Sequence, residues 1–575
     1  MNILSCNYNH DGSAAILKDG KIAGYVNTER FTRIKKHPGV TKKAFDELFK
    51  MAEVAPSEID MYILNNLNWM FSPVYYSENN GYYQNTWENF LIGDKTREDL
   101  PKEDRFFDIK DYGLDLANKD FFPKLLNCKF NFLTNAHFRN FNKSCLVNMP
   151  HYLLHAATAY YTSPFKSAMI FVWDPTGFEA FIGTGNKILP IFNDSMLKFI
   201  NFGRVYAEMS ETILSESSLT SAGKLMGLAA YGKSSLDKEF EDFNLFFNSD
   251  YSTIYNLIKN ESNKNPKFYQ EKHKKIDAKA AFITQSLLES QLEYMFKFLY
   301  QYALVNNIEP NICISGGTGL NCAANEKAFS SSKFKNIFMH PASGDDGTAL
   351  GGALYHWHHT LDNPKESYSN SELMYSKKCY SNSEIEESIK LFAEQIQVRK
   401  TDDYINTAAQ FIADGKVIAW YEGGSEIGPR ALGHRSILGD PRSISIRDFL
   451  NLEVKGRESY RPLAPSILKE YSKEWFGIEE SPFMLRSTKI LKDSLPGISH
   501  VDGTSRPQVL DAKDNPNYYN LILSFFKITG IPMILDTSFN IKGEPIVETP
   551  QDALKSFLRS KIDALVFPGL IITKK

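Results

Sequence analysis

Two widely separated stretches of this chain carry the same local design, and that repetition constrains the fold more than any other feature. The first forty residues read as a strand, the turn His10-Asp11-Gly12-Ser13, and two strands joined at Lys18-Asp19-Gly20-Lys21, where Asp-Gly supplies the positive φ angles of a tight hairpin. From Ala168 the run Met169-Ile170-Phe171-Val172-Trp173 reads as a buried strand, followed by Asp174-Pro175-Thr176-Gly177-Phe178-Glu179 and more β-like sequence. Two such hairpins predict a duplicated α/β domain.

The rest of the chain fits around that pair. At ~150 residues per domain, 575 residues suggest two to four domains. Residues 66 to 145, aromatic and polar with little periodicity, read as an insertion. From Ile276 to Asn306 the spacing of Ala281, Leu288, Leu292, Met295 and Leu299 predicts a core-packed helix. Then Asn311-Ile312-Cys313-Ile314 reads as a strand running into Ser315-Gly316-Gly317-Thr318-Gly319-Leu320-Asn321 and an alanine-rich helix, a nucleotide-binding order of elements. The polar segment 359 to 382 marks the main boundary, which divides the chain into residues 1–365 and 375–575. Strand signals at Val417-Ile418-Ala419-Trp420-Tyr421 and Pro532-Met533-Ile534-Leu535 predict an independent C-terminal α/β domain.

Composition excludes several classes. With 23% charged residues and a formal net charge of -3, no global field favours nucleic acid or a membrane surface, so any anion site is local. The six cysteines form no C-x-x-C pair, which argues against a disulfide framework or a zinc finger. The start Met1-Asn2-Ile3-Leu4-Ser5-Cys6 has no basic segment before an apolar one, and no apolar run is long enough to span a bilayer; a cytoplasmic protein is expected.

Several residues could carry chemistry. His151 and His155 sit at i, i+4, which on a helix turns both imidazoles toward one side, where they can share a divalent ion; taken alone, such a pair is more often packing. Asp345, in Ser343-Gly344-Asp345-Asp346-Gly347, is either a rigidly held ligand or a helix cap. Backbone amides at Gly12 and Ser13, and at Gly316 and Gly317, could approach phosphate closely. His10 is a candidate base for an acceptor hydroxyl, with a structural histidine as the rival reading. In the C-terminal half, Gly428-Pro429-Arg430-Ala431-Leu432-Gly433-His434-Arg435-Ser436 and Lys455-Gly456-Arg457-Glu458-Ser459-Tyr460-Arg461-Pro462 thread basic side chains through turns. Arg506 and the run Thr537-Ser538-Phe539-Asn540 add donors. A pocket for several phosphates accounts for this pattern, against salt bridges within the domain.

As a set, these motifs resemble the O-carbamoyltransferase family that includes the nodulation-factor, cephalosporin, novobiocin and tobramycin carbamoyltransferases. The carriers are Asn9-His10-Asp11-Gly12-Ser13-Ala14-Ala15, Glu29 to Lys35, the His151/His155 pair, Gly223-Lys224-Leu225-Met226-Gly227-Leu228-Ala229, Ser315-Gly316-Gly317, Gly428 to Gly433, Lys455 to Pro465 and Asp536 to Asn540. The pattern is departed from at Pro175, Ala222 and Leu510. The resemblance implies an N-terminal actin/hexokinase-like duplicated domain and a C-terminal YrdC-like α/β domain. It further implies that ATP, with Mg2+, and carbamoyl phosphate form carbamoyl-adenylate on Arg430, Lys455, Arg461, Arg506 and Ser538. That intermediate would be held by Gly12, Ser13, Gly316, Gly317 and Asn321, beside a divalent metal, Fe2+ by the same resemblance, on His151, His155 and Asp345. His10 would activate a small-molecule or sugar hydroxyl, Lys35 would stand near the transferred group, and a homodimer is compatible. A kinase of the actin/hexokinase class would leave the C-terminal basic residues unexplained, and a nucleotide-dependent binding protein without turnover would leave His10 unexplained.

Overall fold

The computed structural model describes residues 1–65, 146–193, 200–233, 250–264, 266–271, 274–492 and 495–575, with the backbone of 74–77 and 81–84. Most of the insertion read at 66–145 lies outside the described residues. The first sheet contains β1 (Asn2–Asn7), β2 (Ser13–Lys18), β3 (Lys21–Asn27), β4 (Met61–Asn65) and β5 (Leu146–Met149) in the order β3-β2-β1-β4-β5. The second contains β6 (Ser167–Asp174), β7 (Gly177–Thr184), β8 (Lys187–Asn193), β9 (Asn311–Ser315) and β10 (Asn336–Met339) in the order β8-β7-β6-β9-β10. In both, the first strand has antiparallel neighbours on one side and parallel ones on the other. The duplication expected from the two hairpins is therefore a duplication of whole sheets. Asp19 (φ 49°) and Gly20 (φ 82°) make the first hairpin turn as read.

Five helices matter for the site: α1 (Thr28–Thr32), α2 (His151–Thr162), α3 (Ser218–Ala229), α4 (Ala278–Val305) and α5 (Cys322–Ser331), with α6 (Thr348–Tyr355) closing the duplicated region. Helix α6 lies on β1 and β2, α2 lies on β6 and β9, and the two helices pack on each other between the sheets. Their approach needs small residues: a Cβ on Gly351 would stand 2.0 Å from the Leu154 carbonyl oxygen. The ends of β1, β6 and β9 and the starts of α2 and α6 consequently converge on one point.

The C-terminal region forms an eight-stranded mixed sheet of β11 (Ile396–Lys400), β12 (Ile418–Tyr421), β13 (Arg435–Gly439), β14 (Ala464–Leu468), β15 (Gln508–Leu510), β16 (Met533–Ser538), β17 (Ala564–Phe567) and β18 (Leu570–Lys574). Its order is β11-β18-β17-β12-β13-β16-β14-β15. One apolar core on this sheet includes Phe525 and Ile534, the other Phe557 and Leu565. The expectation of an independent C-terminal domain meets a seam that is itself packed. Ile427, Leu432, Tyr460 and Phe483 belong to the same apolar cluster as α2, α4 and the second sheet. The polar segment before the C-terminal sheet is tied into this seam, with Leu373 and Met374 buried and the Tyr375 hydroxyl donating to the Leu432 carbonyl at 2.6 Å. Among the described residues no helix is long and apolar enough to cross a membrane.

The tightest point of the seam is the turn at Gly428. Its φ is 91°, and a Cβ there would stand 2.4 Å from the Pro341 carbonyl oxygen. Buried Arg30 on α1 donates from Nη2 to the Gly428 carbonyl at 2.8 Å, and Arg33 donates to the carbonyls of Ile546 and Pro545 at 2.6 and 2.9 Å. Gly415 provides a comparison, since it has φ 80° but no atom within 4 Å of the place a Cβ would occupy. Alanine at Gly415 should cost only the backbone component, about 1–2 kcal/mol. Gly428→Ala should cost measurably more and lower the melting temperature further; equal melting temperatures would show that the close approach does not constrain the seam.

Candidate active site

The point where the strand ends and helix starts converge holds four side chains. His151 and His155 face each other across one turn of α2, their Nε2 atoms 3.2 Å apart. Asp174, the last residue of β6, places Oδ2 3.2 and 3.1 Å from those nitrogens. Asp345, in the loop before α6, places Oδ1 3.6 and 3.4 Å from them. The set can hold a metal ion, its ligand atoms all lying within 4.8 Å of one another. Bonds of about 2.1 Å would separate neighbouring ligands of a tetrahedral ion by about 3.4 Å, the spacing that these nitrogens and oxygens already have.

Each carboxylate is held by one oxygen and offers the other. Asp174 Oδ1 accepts the Gly317 amide at 2.7 Å, and Asp345 Oδ2 accepts Asn9 Nδ2 at 2.6 Å. Ser315 Oγ lies 3.3 Å from His155 Nδ1, completing an outer ring of orienting groups. The electrostatics ask for a cation at the centre. Burial alone would pull His155 down, but Asp174 and then Asp345 raise it to about 10. Burial opposes ionisation of both acids, yet the imidazoles hold Asp174 well below, and His10 with the imidazoles hold Asp345 below, the usual carboxylate range. The bonding of Asp345 resolves the alternative of a cap in favour of a group turned toward the histidines. Asp174 is missing from the ligands expected from sequence; its signal is a lone carboxylate ending an apolar strand.

His10 adjoins this group. Its Nε2 is 3.4 Å from Asp345 Oδ2, and its Nδ1 is 2.9 Å from Asp11 Oδ2, which also accepts Lys36 Nζ at 2.8 Å. Although burial lowers the imidazole pKa, Asp345 and Asp11 together raise it above its ordinary value. The lysine in this network is Lys36. Lys35, expected beside the transferred group, is an exposed residue whose ammonium is depressed by desolvation and then by Arg461 and Lys36, against the pull of Glu29.

The groups expected to hold the adenylate, Gly12, Ser13, Gly316, Gly317 and Asn321, make hydrogen bonds within the protein. Gly12 N–H donates to the His37 carbonyl at 2.8 Å and the Ser13 hydroxyl to the Asp346 carbonyl at 2.6 Å. Gly316 N–H donates to the Ser343 carbonyl at 2.9 Å, while Gly317 holds Asp174. Asn321 caps α5 through Ala324 N–H at 3.1 Å and donates to Gln285. The glycine loops position the four-residue group, because a Cβ at Gly316 would stand 2.3 Å from the Trp173 carbonyl oxygen.

The C-terminal basic residues do converge. Burial and then neighbouring arginines, Arg506 among them, hold Arg430, Arg457 and Arg461 below their ordinary basicity, and Lys455 is pushed well below its usual range by burial, Arg457 and Lys35. Arg430 falls to about 9. Lys455 Nζ is fixed by the Ser538 carbonyl, by Ser538 Oγ at 3.2 Å and by two oxygens of Asn540 at 2.9 Å. Among the described residues, Arg430 Nε, Arg457 Nη2 and Arg506 Nε are shielded without a hydrogen-bond acceptor. Mutually repelling cations with unfilled donors form a site for an anion rich in oxygen. Arg457 thereby joins the residues that the sequence motifs assign to this pocket. Arg430 Nη2 also reaches the Leu320 carbonyl at 3.4 Å, linking the cations to the loop that holds Asp174.

Residues 3–354 match the model of the carbamoyltransferase N-terminus and residues 409–574 that of the carbamoyltransferase C-terminus. The chain belongs to the carbamoyltransferase family. It is 30% identical to nodulation protein NolNO of Sinorhizobium fredii over 98% of this chain and 79% of that one. It is also 30% identical to the 3'-hydroxymethylcephem-O-carbamoyltransferase of Amycolatopsis lactamdurans over 58% of this chain and 61% of that one. The protein is an O-carbamoyltransferase enzyme. A solved structure of T. kodakarensis HypF aligns at a TM-score of 0.30 and 9% identity, over 63% of this chain and 48% of that one, too distant to add to the assignment.

The bonding of Asp174 yields a direct test. Asp174→Asn and His155→Ala should each lower bound divalent metal severalfold, measured by elemental analysis of purified protein, whereas Asp346→Asn should not. Full metal content in Asp174→Asn would remove Asp174 from the centre.

Proposed function

We propose that this enzyme makes carbamoyl-adenylate on the cation cluster and transfers its carbamoyl group beside the four-residue group to a hydroxyl of a sugar or natural-product acceptor in a cytoplasmic biosynthetic pathway. Residues 1–365, actin/hexokinase-like by resemblance, would be the transfer domain, and residues 375–575, YrdC-like by resemblance, the adenylate-forming domain. The observation that carries the reading is that the two regions meet: Arg430 in the basic turn reaches the carbonyl of Leu320, in the loop that holds Asp174, and Gly428 beside it packs on the Pro341 carbonyl in the stretch leading to Asp345.

In the first half-reaction, water releases phosphate from carbamoyl phosphate, and the resulting carbamate oxygen attacks the α-phosphorus of Mg2+-bound ATP, expelling pyrophosphate. Arg430, Arg457, Arg461, Arg506 and Lys455, with Ser538 beside it, neutralise the phosphates. Carbamate decomposes in water, so an enclosed path between the sites protects it and its adenylate. In the second half-reaction the acceptor oxygen attacks the carbamoyl carbon and AMP leaves. His10 takes the acceptor's proton at Nε2, since Asp11 holds Nδ1–H and so fixes the tautomer. A divalent ion, Fe2+ by resemblance, would be held by His151, His155, Asp174 and Asp345 and would supply Lewis-acid polarisation.

His10→Asn should preserve pyrophosphate release from ATP and carbamoyl phosphate while reducing transfer by about 10²–10⁴-fold, the contribution of a positioned base. Labelled ATP and carbamoyl phosphate should yield AMP and pyrophosphate. Formation of ADP instead would favour the kinase reading, and loss of both half-reactions in His10→Asn would overturn the division of roles.

A further inference from the structure

The motif Gly223-Lys224-Leu225-Met226-Gly227-Leu228-Ala229 has no role in the chemistry above, yet α3, which carries it, lies against the basic turn of the C-terminal half. The Gly227 carbonyl accepts His500 Nε2 at 2.9 Å, and a Cβ on Gly227 would meet Pro462 at 3.5 Å. Lys224 extends from this helix to Glu458, with Nζ 2.7 Å from Oε1, and its other contacts are the two oxygens of Glu216 at 2.8 and 2.6 Å. Glu458 lies three residues before Arg461, whose Nη1 stands 3.8 Å from Oε2. That oxygen is shielded from solvent and accepts no hydrogen bond among the described residues.

The arrangement is a competition. An arginine and a glutamate whose charged groups come within 3.8 Å of one another can close into a direct, charge-assisted pair. Here Lys224 holds the carboxylate by its other oxygen, and the guanidinium stands off beyond hydrogen-bonding distance. Lys224 is only 16% exposed and Glu458 18%, so solvent weakens this competition less than at an open surface.

We propose that Lys224 is a positioning residue from the duplicated region that occupies Glu458 and so leaves Arg461 free for the anionic substrate. This deepens the proposed function and rests on its placing of Arg461 in the anion site. Without Lys224, Glu458 would capture Arg461 and set a negative charge beside the substrate. The KM for carbamoyl phosphate or ATP would rise, whereas the rate at saturation would change little.

The experiment measures pyrophosphate release in the full-length enzyme for Arg461→Ala, Lys224→Met and Lys224→Met/Glu458→Gln, with melting temperatures in parallel. Lys224→Met should raise one of the two KM values about tenfold, the size of a lost charge-assisted contact. The double variant should return it to within about threefold of the parent, because the competing charge is gone. A rise that Glu458→Gln does not reverse, or a loss in kcat with KM unchanged, would make Lys224 a mere structural contact and overturn the inference. If Arg461→Ala retains full activity, the anion-site reading itself fails; if Arg461→Ala is inactive and both KM values are unchanged in Lys224→Met, only the role of Lys224 fails.

Discussion

The close approach of Gly428 to the Pro341 carbonyl determines where everything else in the molecule can act. At this point the C-terminal turn bearing Arg430 meets the loop leading from β10 to Asp345, and Arg30 holds the Gly428 carbonyl from the opposite side. A side chain at residue 428 would separate the two backbones, and with them the cation cluster from the four-residue group. The apolar seam around Leu432, Met374 and Tyr460 buries enough surface to hold the halves together, but it is the bare backbone contact that sets their register. Packing supplies the adhesion and a glycine supplies the alignment.

The same division of labour recurs at the centre. Gly316 and Gly317 allow the loop after β9 to lie against β6, and the Gly317 amide then fixes one oxygen of Asp174 so that the other faces the imidazoles. Asn9 does the same for Asp345 from the first repeat. One carboxylate is thus oriented by each half of the duplication, and the histidines come from the helix packed between the sheets. A centre assembled from three elements in this way has its side chains oriented by the protein's own hydrogen bonds, which suits a site whose geometry must precede its chemistry.

Much of this was legible in the sequence. The paired hairpins announced the duplicated sheets because Asp-Gly turns and apolar strands are local signals. The histidine pair was legible because helical periodicity fixes its direction. The roles of the glycine loops were not, since a sequence shows that a backbone can approach something closely but not what it approaches: Gly12 meets Gly39 and His37, and Gly316 meets Trp173. Asp174 escaped for a related reason. Its partners are remote in sequence, and only the closing of β6 against β9 and α2 reveals that its side chain faces inward. The basic turns were legible as a set because Arg and Lys between Gly and Pro have no helix face to occupy, although Arg457 became visible only through its proximity to Arg461 and Arg506.

The cation cluster is costly to the unliganded protein, because burial and mutual repulsion both disfavour charge on Lys455 and Arg457. Under the proposed function, the anionic oxygen of a substrate would relieve that repulsion. That relief would grow with the negative charge gathered there, so in the proposed reaction it would favour the crowded phosphates of a reacting complex over either substrate alone. Lys35 and Lys36 show how sharply the boundary of this field is drawn. Lys36 adopts a left-handed backbone with φ 57° and sets its ammonium on Asp11 beside His10, while desolvation and the charge of Arg461 lower the basicity of Lys35 against the pull of Glu29. In the proposed function, a single peptide unit therefore separates a lysine influenced by the cation cluster from one that tunes the base.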